Sequence, residues 1–431
     1  METIANMGYR DICLAASGIF PCHAPLVPLM ERGVITRVIT STSNPGPVPK
    51  AISHGALRDR AVLMTHGGRP RAISQGELPI HVAFIAAPAC DKEGNLSGAE
   101  GPSACGCLSY AYADAACADY VVAVTDHIVP SLSALSEIPG AQVDCIVKLE
   151  QIGDPGGIVS GSTKISDDPI RRSIAARAAD LVEQTGYLRN GISLQTGASS
   201  IALAVAAEIS EKMKRQHIRG SFGCGGIHGA MVQMLHDGLF EKLLDVQCFD
   251  LAAVNSAASD EQHITISASR YANPADPDCV VHQLDVVILG AAEIDLDFNV
   301  NVITGSDGII LGASGGHSDC AAGAKLAIVV SNLMKKNRCL VKKHVTTCTT
   351  PGSTIDVLVT DYGVAVNPRR EDLLQKLSGF SLVSMQELLE QGAALGAAED
   401  HPRFTSRIVA DVQYRDGTVI DHVYQIEEGS E

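Results

Sequence analysis

Tryptophan is absent from this 431-residue chain, and aromatic residues together make up only 4% of it. A core without large rings is filled by aliphatic and small side chains, a mixture that suits tightly packed α/β layers. Basic excess is also missing: 33 lysines and arginines stand against 49 aspartates and glutamates, a net charge of −16. A surface that tracks phosphates needs a basic stripe, so nucleic acid is excluded as a partner. An anionic substrate must then be met by local cations or backbone N–H groups, against the overall field. No run approaches the ~18 apolar residues of a membrane span. The opening METIANMGYRDICLAASG has no basic stretch leading into an apolar one, so no secretory signal is read there. Thirteen cysteines, an odd number without a framework, read as reduced core residues of a soluble cytoplasmic protein. Cys105 and Cys107 form a C-x-C with no second pair or histidine at ligand spacing, so no metal site is expected. The G-x-S-x-G elbow, the Walker loop and H-E-x-x-H are all missing, and hydrolase, P-loop and zincin chemistry lack their motifs.

What the chain does contain is length, small residues and an internal repeat. Its length calls for two domains of ~200 residues each. Residues 7–44 read as strand, loop, helix and strand, and residues 215–250 repeat the plan. Residues 81–101 then match 284–308, residues 112–126 match 320–332, and residues 140–155 match 352–368. Repeated alternation of strand and helix predicts mainly parallel sheets flanked by helices, with ligands beyond the carboxyl ends of the strands. A charged amphipathic helix over residues 167–185 joins the halves. The expected domains are residues 1–186 and 187–431, facing each other across the site. In the second copy a strand, a small-residue loop and a helix (residues 192–213) precede the first matched strand. The first domain lacks that opening.

The glycine-rich stretch NVNVITGSDGIILGASGGHSD, residues 299–319, is the leading candidate for chemistry. Glycine lets main-chain donors approach an anion closely, and polar residues accompany it: Asn301, Thr304, Asp307, His317 and Asp319 around Gly315 and Gly316. The alternative reading is a set of tight turns. THGGRPRAI, residues 65–73, sets His66, Arg69 and Arg71 around a Gly-Gly turn, a plausible carboxylate clamp because guanidinium grips carboxylate in a fork. A solvated basic turn is the competing reading. DKEGNLSG, residues 91–98, offers Asn95 as an orienting group. TGASS, residues 196–200, opens a helix, so Gly197, Ser199 and Ser200 are placed to meet a phosphate at its N-terminus.

HGGRPRAI, HVAFIAAPACDKEGNLSG, LLDVQCFD, EIDLDFNVNVITGSDG, GASGGHSD and TPGSTIDVLVTDYGVAVNPR together resemble the citrate lyase alpha chain family over essentially the whole sequence. The resemblance implies two tandem related domains of the CoA-transferase fold, the class shared with ribose-phosphate isomerases (NagB/RpiA-like). It implies exchange of acetate for citrate on an acyl-carrier thioester, with CoA or a phosphopantetheine-type thioester as co-substrate and no covalently bound cofactor. The implied partners are the beta (lyase) subunit and the acyl carrier subunit in an oligomer. Wider relatives use a glutamate nucleophile where this chain has GSFGCGGIHG, residues 220–229, which offers no carboxylate. Direct attack of citrate on the thioester is therefore expected, with Gly225, Gly226, Gly315 and Gly316 as backbone donors and Arg69 and Arg71 on citrate. Ser199 and Ser200 stand where the family tends to glycine, narrowing the approach of a pantetheine arm. Two other readings stay open: a CoA-transferase for another small acid, and a non-catalytic scaffold subunit of a lyase complex.

Overall fold

A computed structural model describes residues 1–132, 136–158, 168–197, 199–398 and 402–427. Taken along the chain, three parallel strands come first: β1 (Ile12–Ile19), β2 (Ile35–Ser43) and β3 (Ala61–Leu63). A second parallel trio follows, β4 (Val82–Ala86), β5 (Tyr120–Thr125) and β6 (Cys145–Lys148). Helix α1 (Pro169–Gln184) leads to β7 (Ser193–Thr196), helix α2 (Ser200–Gln216), β8 (Gly220–Ile227), β9 (Phe240–Cys248) and β10 (His263–Thr265). Then come β11 (Val286–Leu289), β12 (Leu326–Val330) and a closing hairpin, β13 (Phe404–Gln413) with β14 (Val419–Ile426).

These elements form two compact units: Met1–Arg69, Gly290–Ala322 and Ser331–Glu431 make the first, and Pro70–Leu289 with Gly323–Val330 the second. The first is built on a sheet in the order β1-β2-β3-β13-β14. β13 joins β3 in parallel, Ala410 opposite Ala61, and only β14 is antiparallel. Its core is aliphatic, as the composition requires, with Leu29, Val38, Ile52, Leu63, Ile303 and Val412 among its buried members. The expected linker helix is α1, although Asp167 itself lies outside the described residues.

In the second unit six parallel strands lie in the order β10-β9-β8-β7-β11-β12. Every residue of β11 and β12 is buried, which is why both read as unbroken aliphatic runs without alternation: a parallel strand covered on both faces has no polar side. α1 and α2 pack against each other, and small and aliphatic residues such as Ala178, Leu181, Ala202 and Val205 are buried on them. α2 starts where the sequence placed it. The Ser199 hydroxyl accepts from Ala202 N at 3.2 Å, and His217 in the left-handed region ends the helix. β4 is different: it alternates exposed and buried residues, and it is an edge strand among the described residues.

The internal repeat extends to single hydrogen bonds. Asp91 Oδ1 accepts from the amides of Glu93 and Asn95, and Asp295 Oδ1 from those of Asp297 and Asn299. The amide nitrogen of Asn95 donates to Asp91 and that of Asn299 to Asp295. The oxygen of Asn95 accepts from Gly140 N at 2.8 Å and that of Asn299 from Gly352 N at 2.9 Å. The copies are nevertheless not the compact units. Each unit draws strands from both, so the limits expected at 1–186 and 187–431 cut through both units, and Gly186 lies inside the second. Sequence similarity follows the order of elements, whereas compactness follows which sheet each strand joins.

Candidate functional site

In the first unit the parallel strands deliver three loops to one place. β2 ends in Ser41 and Thr42, β3 runs into residues 64–69, and residues 314–319 come alongside, with Thr65 bridged to Gly315. His66 N donates to Gly315 O and Gly315 N to Ser41 O, each at 2.9 Å. Asp319 anchors the arrangement. Its side chain has no exposure, and it accepts from Thr65 Oγ1 and from Gly67 N, both at 2.9 Å. Arg415, from the turn between β13 and β14, brings its Nε to 3.6 Å from the same carboxylate. Thr65 Oγ1 accepts in turn from Gly68 N at 2.8 Å. Burial pushes the Asp319 carboxyl up to about 6, against the pull of Arg415, Gly67 N and Thr65 in the other direction.

Further buried polar side chains are candidates for the same site. The ring nitrogens of His66 lie 3.3 Å from Ser41 Oγ and 3.4 Å from Thr42 Oγ1. Desolvation holds its pKa down at about 3, so at neutral pH it is an uncharged hydrogen-bonding group. Arg69 is buried, and its Nη2 donates to Ala15 O on β1 at 2.9 Å. His317 lies 2.9 Å from Gly290 O through Nε2 and 2.7 Å from Thr350 Oγ1 through Nδ1. A carbonyl accepts only, so Nε2 carries the proton and Nδ1 takes one from Thr350. Burial lowers its pKa to about 4.

Several expected ligand contacts are taken up by the protein itself. Arg71 forks onto Glu77, Nη1 to Oε1 and Nη2 to Oε2, both at 2.7 Å, so its clamp closes on an internal carboxylate. The Asn95 side chain is spent in the turn described above. Asn301 and Thr304 are fully buried: Asn301 Nδ2 donates to Glu293 at 2.9 Å and to Thr304 O at 3.0 Å, and Thr304 Oγ1 donates to Thr347. Asp307 is exposed and closes a turn onto Ile309 N. Gly315 gives its N–H to Ser41, whereas Gly316 N–H has no acceptor among the described residues. These internal partners share one cause: a polar residue in a buried loop satisfies the loop's own donors and acceptors.

The second unit holds the other glycine pair. Gly225 has φ +98°, a value an L side chain rarely adopts, and an added Cβ would lie 2.9 Å from the Gln195 amide. The pairing of β8 with β9 slips by one residue between Gly225 and Gly226, a bulge of the kind found beside active sites. Gln195 donates to Tyr271 Oη at 2.7 Å, and Thr196 Oγ1 lies 3.3 Å from His228 Nε2. Gly197 N donates to Ile288 O, Ser199 caps α2, and Ser200 Oγ accepts from Arg171 Nη1 at 3.0 Å. Ala198 lies outside the described residues. Sequence reading missed Ser41, Thr42, Thr65, Arg415, Gln195 and Tyr271. Of these only Arg415 carried a local signal, the Asp-Gly turn that follows it at residues 416–417.

Comparison with known proteins places the chain in a family. The family model described as citrate lyase, alpha subunit (CitF), matches residues 1–426. The citrate lyase alpha chain of Escherichia coli (strain K12) is 44% identical over 430 residues, 99% of this chain and 84% of that one. A crystal structure of the putative alpha subunit of citrate lyase from Streptococcus mutans, in complex with citrate, superposes with a TM-score of 0.96. It is 40% identical and covers 99% of this chain and 84% of its own. The 4-hydroxybutyrate CoA-transferase of Porphyromonas gingivalis shares the fold at 16% identity and a TM-score of 0.56, with 91% of this chain and 96% of that one covered. With family match and identity both running the length of the sequence, the chain belongs to the citrate lyase alpha subunit family, a family of transferases.

Proposed function

We propose that this chain transfers an acyl-carrier thioester from acetate to citrate, releasing acetate and forming citryl carrier, and that it works in a lyase complex with beta and carrier subunits. The observation that supports the reading most is the Asp319 anchor. It holds residues 65–68 rigid beside the buried guanidinium of Arg69 and the neutral imidazole of His66, a pocket wall that offers one fixed cation and uncharged donors to a polycarboxylate. Residues 220–229 carry no carboxylate, so the acyl group is passed without an enzyme-bound glutamyl thioester.

In the route that follows, a citrate carboxylate oxygen attacks the acetyl thioester carbonyl. The tetrahedral oxyanion collapses, expels the carrier thiolate and leaves a mixed acetyl–citryl anhydride. The thiolate then attacks the citryl carbonyl, and acetate departs with the bridging oxygen that came from citrate. No external proton or oxidant is needed. The protein's work is to position two anions and to donate to the oxyanion, for which Gly316 N in the first unit is a candidate donor.

A single turnover with citrate labelled by ¹⁸O in its carboxylates tests the route. The released acetate is expected to carry one label and the intact protein to gain no mass. Label retained on a protein carboxylate would sink direct transfer. Arg69→Ala tests the clamp: loss of a hydrogen-bonded cation from a buried site should lower kcat/KM for citrate by about 100-fold or more, equivalent to about 3 kcal/mol. Unchanged citrate-dependent exchange would remove Arg69 from the site.

A further inference from the structure

A group of side chains in the second unit has no part in this chemistry. Cys107, Asp245 and Cys248 bring two thiol sulfurs and a carboxylate oxygen within 4.8 Å of one another. Sequence spacing gave Cys107 no such company, because its partners come from the far end of β9. The side chains of Asp245 and His263 have no exposure, and Cys248 is buried. Cys248 Sγ is 2.8 Å and His263 Nε2 3.1 Å from Asp245 Oδ2, so two side chains meet at one oxygen.

The hydrogen bonds behind His263 define which of its nitrogens faces the group. Ser256 Oγ has a single proton and gives it to Asp260 Oδ2 at 2.5 Å. His263 Nδ1, 2.8 Å from the same hydroxyl, is therefore the donor. In the neutral ring Nε2 is then a lone pair, aimed at a carboxylate oxygen in a place water does not reach. Two lone pairs 3.1 Å apart are reconciled by a proton or by a metal cation between them, and the two thiols beside them are the groups that a metal would add to the set. The chain of imidazole, hydroxyl and carboxylate behind the ring is also the outer support that metal-bound histidines use to fix their tautomer.

We propose that Cys107, Cys248, Asp245 and His263 form a zinc site. Two sulfurs, one imidazole and one carboxylate are a donor set that zinc favours. A tetrahedral zinc with bonds of ~2.0–2.3 Å keeps its ligand atoms ~3.3–3.8 Å apart; Cys107, Asp245 and Cys248 already lie within 4.8 Å of one another, and His263 would join them from its place 3.1 Å from Asp245 Oδ2. Binding would replace the two thiol protons by the metal and tie the loop that carries Cys107 to β9 and β10. The site is structural, since all four positions are taken by protein atoms.

The test uses the full chain, purified without a metal-affinity tag and dialysed against metal-free buffer. Zinc equimolar with protein is expected by mass spectrometry of the elements. Cobalt(II) added to stripped protein should give a thiolate-to-metal charge-transfer band that zinc abolishes. Ser256→Ala, which removes the support behind His263, should weaken binding about 10–100-fold. If Cys107→Ser or Cys248→Ser fails to fold, alkylation of the wild-type chain decides instead: zinc should protect Cys107 and Cys248 and leave the exposed Cys22 reactive. Protein that holds no zinc above the buffer blank and shows no cobalt band overturns the site, as does a disulfide between Cys107 and Cys248 in the unreduced peptide map.

Discussion

Replacing Asp319 with alanine is expected to abolish measurable transfer and to lower the folding free energy by about 3–5 kcal/mol. The carboxylate serves Thr65, Gly67 and Arg415 at once from a place without exposure, and its loss leaves those donors facing a cavity. A urea titration and an exchange assay on the same preparation check both parts; a stable but inactive variant would mean that the anchor positions without holding the fold. Asp319→Asn keeps the shape and one acceptor oxygen, so it should recover part of the stability. The pH response separates the two further. Because Asp319 titrates at about 6, kcat/KM of the wild type should fall as acidity passes that point, after correction for citrate's own ionisation, and the asparagine variant should lack this step. Stability moves the other way. The folded-state value lies above the ~3.9 of an ordinary aspartate, so the folded chain holds the proton longer and this group's contribution to stability falls as pH rises from about 4 to about 6. The wild type should therefore gain on the asparagine variant as pH drops through that window.

Alanine at Gly352 is expected to cost about 3 kcal/mol or more, and alanine at Gly140 a similar amount. An added Cβ would lie 1.9 Å from Asp297 O at the first position and 2.0 Å from Glu93 O at the second. Neither obstacle is a flexible side-chain end: both are backbone carbonyls of the duplicated turn, held by Asp295 and Asn299 or by Asp91 and Asn95. Gly157→Ala is the control, because nothing lies within 4 Å of its added Cβ and its midpoint should stay within about 0.5 kcal/mol of the wild type. Equal midpoints for all three variants would mean that the turns yield to accommodate a methyl group. Unequal losses at Gly140 and Gly352 would instead show that the two copies have drifted in rigidity, in line with Phe298, which takes a left-handed φ of +66° where the first copy has Gly94 at +88°.

The α/β class with mainly parallel sheets was legible because β11 and β12 are aliphatic without interruption and because the second copy repeats the first. The glycine-rich stretch at residues 299–319 stood out as a candidate for a local reason: glycine, histidine and aspartate sit together in it. What stayed hidden was pairing at a distance. Arg71 looked as free as Arg69, and only the fold shows that Glu77, six residues on, closes its fork. Thr65 and Asp319 are 254 residues apart, and nothing around Arg415 says that it meets them. Asn301 and Thr304 read as ligands for the same reason that they are structural. A buried glycine-rich loop has many backbone donors and few side chains, and the few polar ones present are needed inside.

The order in which strands join has a consequence for how the protein is made. The main span of the second unit is contiguous, Pro70–Leu289, and lacks only β12 to complete its row of parallel strands. The first unit is assembled from three separate stretches. β3 must wait for β13, and the ion pair between Arg60 and Asp411 beside that seam spans 351 residues. At ~5–20 residues per second, β3 leaves the ribosome about 20–70 s before its partner exists. Through that interval the loop at residues 65–69 has no Arg415 to meet, and for most of it no Asp319. A ribosome that stops short of β13 therefore releases a chain whose second unit is nearly complete and whose loop at residues 65–69 has never met Arg415.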